Sequence, residues 1–218
     1  GMAGPQDLTS LEFRSLQADD ITALEELHIE CFPVRYEAKF FQDSVSGKNF
    51  SVAVFDKGQD PPRFAGVLIA QMQSSANIED KLLDFSFSSR KLAYICTLGV
   101  SNGYRSQGLA SVLLSKLLDH VRTDSSCKAV YLHVLDSNNV AIRFYERNNF
   151  QRHKYLENFY VIDGKKCHAY LYALYMNGGK PPWTFRGVLS WWTSLPRNLL
   201  SGLVSWGKRS PPQSICQV

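Results

Sequence analysis

The string Arg105-Ser106-Gln107-Gly108-Leu109-Ala110 combines residue types and spacing suited to holding an anion. It stands between an apolar run, Leu92 to Val100, and an amphipathic stretch, Leu109 to Arg122, whose apolar stripe is Leu114, Leu117, Leu118 and Val121. A helix that begins after a glycine-containing turn offers unpaired backbone N–H groups and the positive end of its dipole, which together can hold a diphosphate. Gly108 would let the backbone approach the anion, Ala110 is small enough for close packing, and Arg105 adds a charge. The cradle is therefore expected to comprise Arg105 to Ala110 with Ser111. Taken bare, the string also fits an ordinary strand-to-helix turn, and the flanking strand and helix favour the anion site. Tyr94 and His133, on runs that read as adjacent central parallel strands, are candidates for handling a proton. Taken alone, each is more often a packed strand tyrosine or a satisfied structural histidine.

The elements that must position these groups follow from periodicity. Leu11 to Arg14 reads as a short strand, and Ala18-Asp19-Asp20 caps a helix carrying Ile21, Leu24, Leu27 and Cys31, which Phe32-Pro33 ends. A second helix spans roughly Glu37 to Ser46. Strands Phe50 to Phe55 and Phe64 to Gln73 form a hairpin about the polar turn Asp56 to Pro62. Ser74 to Arg90 has no clear period and is long for a connection, which points to a functional or mobile loop. Ala129 to Leu135 is the next strand and Asn139 to Asn148 the next helix. Gln151 to Ile162 and His168 to Tyr175 form a last hairpin about Asp163-Gly164. A hairpin region joined to a parallel crossover gives an α/β domain over residues 11–176, with an N-terminal tail, 1–10, and a C-terminal tail, 177–218.

Composition narrows the classes further. At 218 residues and 44% hydrophobic, the chain has one ordinary core and little left for a second domain. The net charge of +4 is too small to argue for nucleic acid, and it is unevenly spread. Five of the 24 basic residues and none of the 20 acids lie from Asn177 onward, so the tail is +5 and the body −1. The five cysteines are odd in number and show no metal-ligand spacing, so free thiols and no metal are expected. No charged-then-apolar signal stretch opens the sequence, and Cys216, third from the end, does not make a CaaX box.

The order of elements, the loop Arg105 to Ala110, and the later string Asp136-Ser137-Asn138-Asn139-Val140-Ala141-Ile142-Arg143-Phe144-Tyr145 resemble the GNAT superfamily of acetyltransferases over roughly Leu11 to Asn177. The resemblance implies the GNAT fold: a mixed, mostly antiparallel sheet with a central parallel pair splayed around acetyl-CoA, flanked by helices. It implies that Asn138 and Tyr145 lie along the CoA arm and near its sulfur, although helix capping and core packing would explain the same two residues. Cys31-Phe32-Pro33-Val34-Arg35-Tyr36, Ala93-Tyr94-Ile95-Cys96-Thr97-Leu98-Gly99-Val100 and Val130-Tyr131-Leu132-His133-Val134 resemble strings of N-terminal protein acetyltransferases acting on retained initiator methionine, the NatE and NatF types. The long segment 74–90 and Asn177-Gly178-Gly179-Lys180-Pro181-Pro182-Trp183-Thr184 resemble the membrane-associated NatF type of the Golgi or the plant plasma membrane.

By that resemblance Tyr94 and His133 are a proton-relay pair. The backbone at Leu98, Gly99 and Val100 binds acetyl-pantetheine as an added strand would, with an N–H polarising the thioester carbonyl. Phe32, Val34, Tyr36, Cys96 and Tyr160 wall the slot for the substrate's methionine. Covering the core edge is the plainer reading of Phe32 and Tyr160. Arg35 departs from relatives that carry an acid there, and a cation at this place disfavours a basic second substrate residue. Protein or nascent-chain N-termini are the implied partners, and direct transfer in a ternary complex is simpler than an acyl-enzyme on Cys96, beside which the sequence shows no base. A lysine or histone acetyltransferase, a small-amine acetyltransferase and a CoA-binding module without catalysis share the cofactor loop and stay as alternatives.

In the tail, Phe185, Val188, Leu189 and Trp192, then Leu199, Leu200, Leu203, Val204 and Trp206, recur at helical spacing across Pro196. Two apolar-faced helices rich in tryptophan and flanked by basic residues suit an interfacial anchor on the anionic cytosolic face of a membrane. Arg186, Pro196 and Arg197 argue against a transmembrane span. Packing of these helices on the domain, leaving the protein soluble in the cytoplasm, is the competing expectation.

Overall fold

A computed structural model describes residues 10–74 and 91–180. The expected N-terminal tail through residue 9, the segment 75–90 and the apolar-faced tail from residue 181 lie outside the described residues. The elements are β1 (Leu11–Arg14), α1 (Ile21–Cys31), α2 (Ala38–Val45), β2 (Phe50–Asp56), β3 (Arg63–Ser74), β4 (Lys91–Val100), α3 (Leu109–Thr123), β5 (Cys127–Leu135), α4 (Asn139–Arg147), β6 (Gln151–Ile162) and β7 (Lys165–Tyr175). They make a seven-stranded sheet in the order β1-β2-β3-β4-β5-β7-β6. Among the described residues only β4 and β5 pair in parallel.

Helices cover both faces, which explains why the central strands read as near-continuous apolar runs. Leu113, Leu114, Leu117 and Val121 of α3 and Ala141 and Tyr145 of α4 pack on one face, against Leu68, Ile95 and Leu98. Leu24, Leu27 and Cys31 of α1 and Phe41 of α2 pack on the other, against Ile69, Leu92 and Tyr94. Among the described residues Cys31, Cys96, Cys127 and Cys167 form no disulfide with one another.

Two irregularities place side chains. Thr97 faces Ile69 while Ile95 faces Ala70, so Cys96 is an extra residue with no partner on β3. Such a bulge shifts the alternation: Tyr94 and Cys96 point to the α1 side, whereas Leu98 and Val100 point to the α3 side. The parallel pairing runs only from Lys91 to Tyr94 on β4 and from Cys127 to Tyr131 on β5. Beyond it the two strands part, although β4 continues to Val100 and β5 to Leu135.

β7 starts at Lys165, three residues earlier than periodicity suggests, because Ile162 pairs directly with Lys165. Asp163 and Gly164 both have positive φ, 48° and 73°, as a two-residue hairpin turn requires. At the other end of β7, the Asn177 side chain donates to the carbonyls of Val121, Asp124 and Cys127 at 2.9–3.0 Å, and Lys128 Nζ donates to the Asn177 carbonyl. The chain leaves β7 fastened to the C-terminal end of α3.

Candidate active site

Where β4 ends, Gly108 is the residue before α3, with φ 83°, and Ser106 has φ 61°. A β-carbon on Gly108 would meet nothing within 4 Å, so the turn faces open space. Ser111 and Val112 donate to the Gly108 carbonyl, which leaves the Leu109 and Ala110 amides as first-turn donors with no intrahelical acceptor. Val100, Arg105, Ser106, Gly108, Leu109, Ala110 and Ser111 line one concavity, together with Tyr104 and Phe144, which sequence reasoning did not single out.

The loop is braced from several sides. Ser101 Oγ and the Asn102 N–H donate to the Glu30 carboxylate on α1. Tyr104 OH donates to Asp56 at 2.8 Å, and burial together with that carboxylate pushes its pKa up to about 12. Asp56 is held below the usual carboxylate range by hydrogen bonds from Ser10, Tyr104 and Gly58. Gln107 Nε2 donates to the Gly103 carbonyl. Arg105, expected to add a charge beside the anion, lines the concavity and also braces the loop. Its Nε donates to the Val100 carbonyl at 2.9 Å, and an Nη lies 3.9 Å from Cys31 Sγ. The guanidinium thus ties the loop to the end of β4, and the first-turn residues of α3, Leu109 and Ala110, line the concavity beside it.

On the α1 side of the gap, Tyr94 OH and His133 Nδ1 lie 3.0 Å apart, with the two residues 2% and 5% exposed. Tyr94 pairs in register with Tyr131, which donates to Gln73 Oε1 at 2.6 Å. A phenol and an imidazole bonded to each other away from bulk solvent can pass a proton between them. Phe32, Val34, Cys96 and Tyr160 are buried in the same apolar layer as Tyr94, with Tyr36 packed against it. Phe32 lies on β4 at Gly99, where a β-carbon would come within 2.9 Å of its Cζ. Phe32, Val34 and Tyr36 also line an outer groove with Arg35, His28 and, from the last hairpin, Asp163. Thr97 Oγ1, on the same stretch of β4, is buried with no hydrogen-bond partner among the described residues.

Asn138 directly precedes α4 and Tyr145 lies on it, next to Phe144 of the concavity. Asn138 caps α4, its Oδ1 accepting from the Ala141 N–H at 3.1 Å. Tyr145 is fully buried between Phe144 and Phe150. Tyr131, Phe159 and Thr97 are further side chains at the site. Only pairing register and bulges could have singled them out.

Residues 21–150 match the family model described as the acetyltransferase (GNAT) family. The chain belongs to the GNAT family. This GNAT chain is similar to N-alpha-acetyltransferase 60 of Xenopus tropicalis, 37% identical over 218 residues that cover 97% of this chain and 86% of that protein. It is also similar to the histone acetyltransferase MCC1 of Arabidopsis thaliana, 33% identical over 187 residues, 83% and 76% of the two. The solved structure of Arabidopsis thaliana NAA60 with a bisubstrate analogue superposes with TM-score 0.72 at 33% identity, covering 78% of this chain and 99% of that one. The same protein with acetyl-CoA gives TM-score 0.71 at 34% identity, covering 77% and 99%.

Proposed function

We propose that this GNAT chain transfers the acetyl group of acetyl-CoA to the α-amino group of protein N-termini, retained methionine followed by a hydrophobic or amphipathic residue being the preferred start. The observation that carries the reading is the bonded Tyr94–His133 pair, set where β4 and β5 begin to part, with Tyr94 on the strand that leads into the Gly108 turn. The likeness to N-alpha-acetyltransferase 60 supports it.

The residues fit the cosubstrate. The Leu109 and Ala110 amides and the open turn at Gly108 suit its diphosphate. The edge of β4 from Ile95 to Val100, no longer paired with β5, suits an extended amide-bearing arm. A backbone N–H near Leu98 or Gly99 stabilises charge that develops on the thioester oxygen. Tyr94 and His133 take the proton that the substrate ammonium must lose before its nitrogen attacks the thioester carbon. As the new C–N bond forms, the C–S bond breaks, the leaving thiolate takes the second proton from nitrogen, and the first passes to solvent. Phe32, Val34, Tyr36, Cys96 and Tyr160 form the apolar slot, an environment suited to an unbranched thioether.

The test is turnover of acetyl-CoA on peptides beginning Met-Leu, Met-Val, Met-Ala and Met-Lys, beside an N-terminally blocked lysine peptide and spermidine. Tyr94→Phe and His133→Ala are each expected to slow transfer to the Met peptides by at least about tenfold. Unchanged turnover in both would remove the relay. The likeness to the histone acetyltransferase favours lysine as a second acceptor, and acetylation of the blocked peptide alone would replace the α-amine with it.

The tail supports a place as well as a reaction. Its five basic and no acidic residues suit the anionic cytosolic face of a Golgi or plasma membrane. No helix among the described residues is long and apolar enough to cross a membrane. Removal of residues 181–218 is expected to abolish flotation with anionic vesicles while leaving turnover intact. Flotation that survives the truncation would end the anchor reading.

A further inference from the structure

β6 leaves its regular ladder at one place beside the Tyr94–His133 pair. Leu156 faces Ala169 and Tyr160 faces Cys167, so Glu157, Asn158 and Phe159 stand opposite the single residue His168. Asn158 has φ 52°, and its N–H donates to His168 Nδ1 at 3.2 Å. The His168 ring stacks on Tyr155 with centroids 5.4 Å apart, on the far side of the bulge from the relay pair.

The bulge decides where Phe159 goes. In an unbroken ladder Leu156 and Tyr160 would share a face and Phe159 would take the opposite one. Here all three pack in the same apolar layer. The Phe159 ring lies over that of His133, centroids 4.4 Å apart and tilted by 33°, and meets Tyr160 edge-on at 4.8 Å. His133 is buried, whereas Phe159 is partly exposed, so the phenyl ring covers one face of the imidazole and itself meets solvent.

We propose that Phe159 is a positioning residue for His133, held by the His168-braced bulge so that the imidazole keeps Nδ1 on Tyr94 and bulk water stays away from the pair. The proposal rests on Tyr94 and His133 acting as the proton relay. Turning the imidazole over would break its Nδ1 bond to Tyr94 and disturb its contact with the Phe159 ring. Exclusion of water strengthens the polar contacts that remain. Nothing in this role requires Phe159 to touch the reacting atoms.

Steady-state kinetics of the full chain tests it, with Phe159→Ala, Phe159→Tyr, His168→Ala and His168→Asn made singly, and Phe159→Ala also combined with His133→Ala. Phe159→Ala is expected to lower kcat by about tenfold or more with KM for acetyl-CoA within about twofold, as loss of alignment does. Phe159→Tyr keeps the ring and is expected to stay within about threefold of the parent, since the cover remains. His168→Ala, which is remote from the reacting atoms, shifts kcat in the same direction, and His168→Asn restores it by returning an acceptor to the Asn158 N–H. In the His133→Ala background the Phe159→Ala change is expected to disappear. An equal loss in both backgrounds, or a kcat untouched by either Phe159→Ala or His168→Ala, overturns the inference. A His133→Ala enzyme as fast as the parent overturns the relay instead, so the two failures are told apart.

Discussion

Gly108 and Gly99 are both small, for unrelated reasons. Gly108 sits at positive φ and faces open space, so Gly108→Ala adds backbone strain of about 1–2 kcal/mol and a methyl where the diphosphate should come closest. The expected result is a raised KM for acetyl-CoA with little change in the ratio of rates among acceptor peptides. Gly99 instead lies under Phe32, 2.9 Å from where its β-carbon would be. Gly99→Ala is expected to displace that ring and lower kcat/KM for Met-initiated peptides more than it raises KM for acetyl-CoA, which a two-substrate kinetic matrix would resolve. The glycine of the turn was legible, because strand, glycine and helix follow one another in the sequence. The reason for the second glycine was not, since it depends on a ring 67 positions away in the chain. Arg105 is a parallel case: its type announces a cation, but only the fold shows that Val100 already holds its Nε.

At the level of elements, α1 and α2 meet around His28. It is 2% exposed and ringed by Phe32, Tyr36, Phe40 and Phe41, at 5.0, 5.1, 5.8 and 5.1 Å between centroids. Its Nδ1–H donates to the Leu24 carbonyl at 2.8 Å. Burial pushes its pKa down to about 4 from 6.5. Above pH 6.5 the ring is neutral in both folded and unfolded chains and costs nothing. As the pH falls from 6.5 towards 4, the unfolded chain binds a proton that the folded one refuses, so stability falls, by up to about 3 kcal/mol. Denaturant melts at pH 7 and pH 5 should show about 2 kcal/mol of this loss in the parent and a markedly smaller one in His28→Phe. The helices themselves were legible from their apolar spacing, with ends correct to about one residue. The bulges at Cys96 and Phe159 were not, because a bulge is a mismatch between two strands and a single strand carries no mark of it.

For the molecule as a whole, the segment after β7 matters more than its length suggests. Asn177→Ala would strip one donor group from three carbonyls at the end of α3 and the start of β5, at a cost of about 1–3 kcal/mol. The expected fall in Tm is several degrees, at about 2–4 °C for each kcal/mol in a chain of this size. The GNAT architecture was readable from the order of strands and helices, and the one parallel pair falls where the crossover helix requires it. The position of the chain's exit was not readable, since Asn177, Val121, Asp124 and Cys127 come together only once the sheet is built. That exit lies at one end of α3 and the Gly108 turn at the other, and fifteen residues of helix separate them by roughly 22 Å at about 1.5 Å per residue. The Gly108 turn and the point where the chain leaves β7 therefore lie at opposite ends of α3. A change that loosens the chain's exit from β7 is therefore expected to lower stability without touching the diphosphate turn at the far end of the helix.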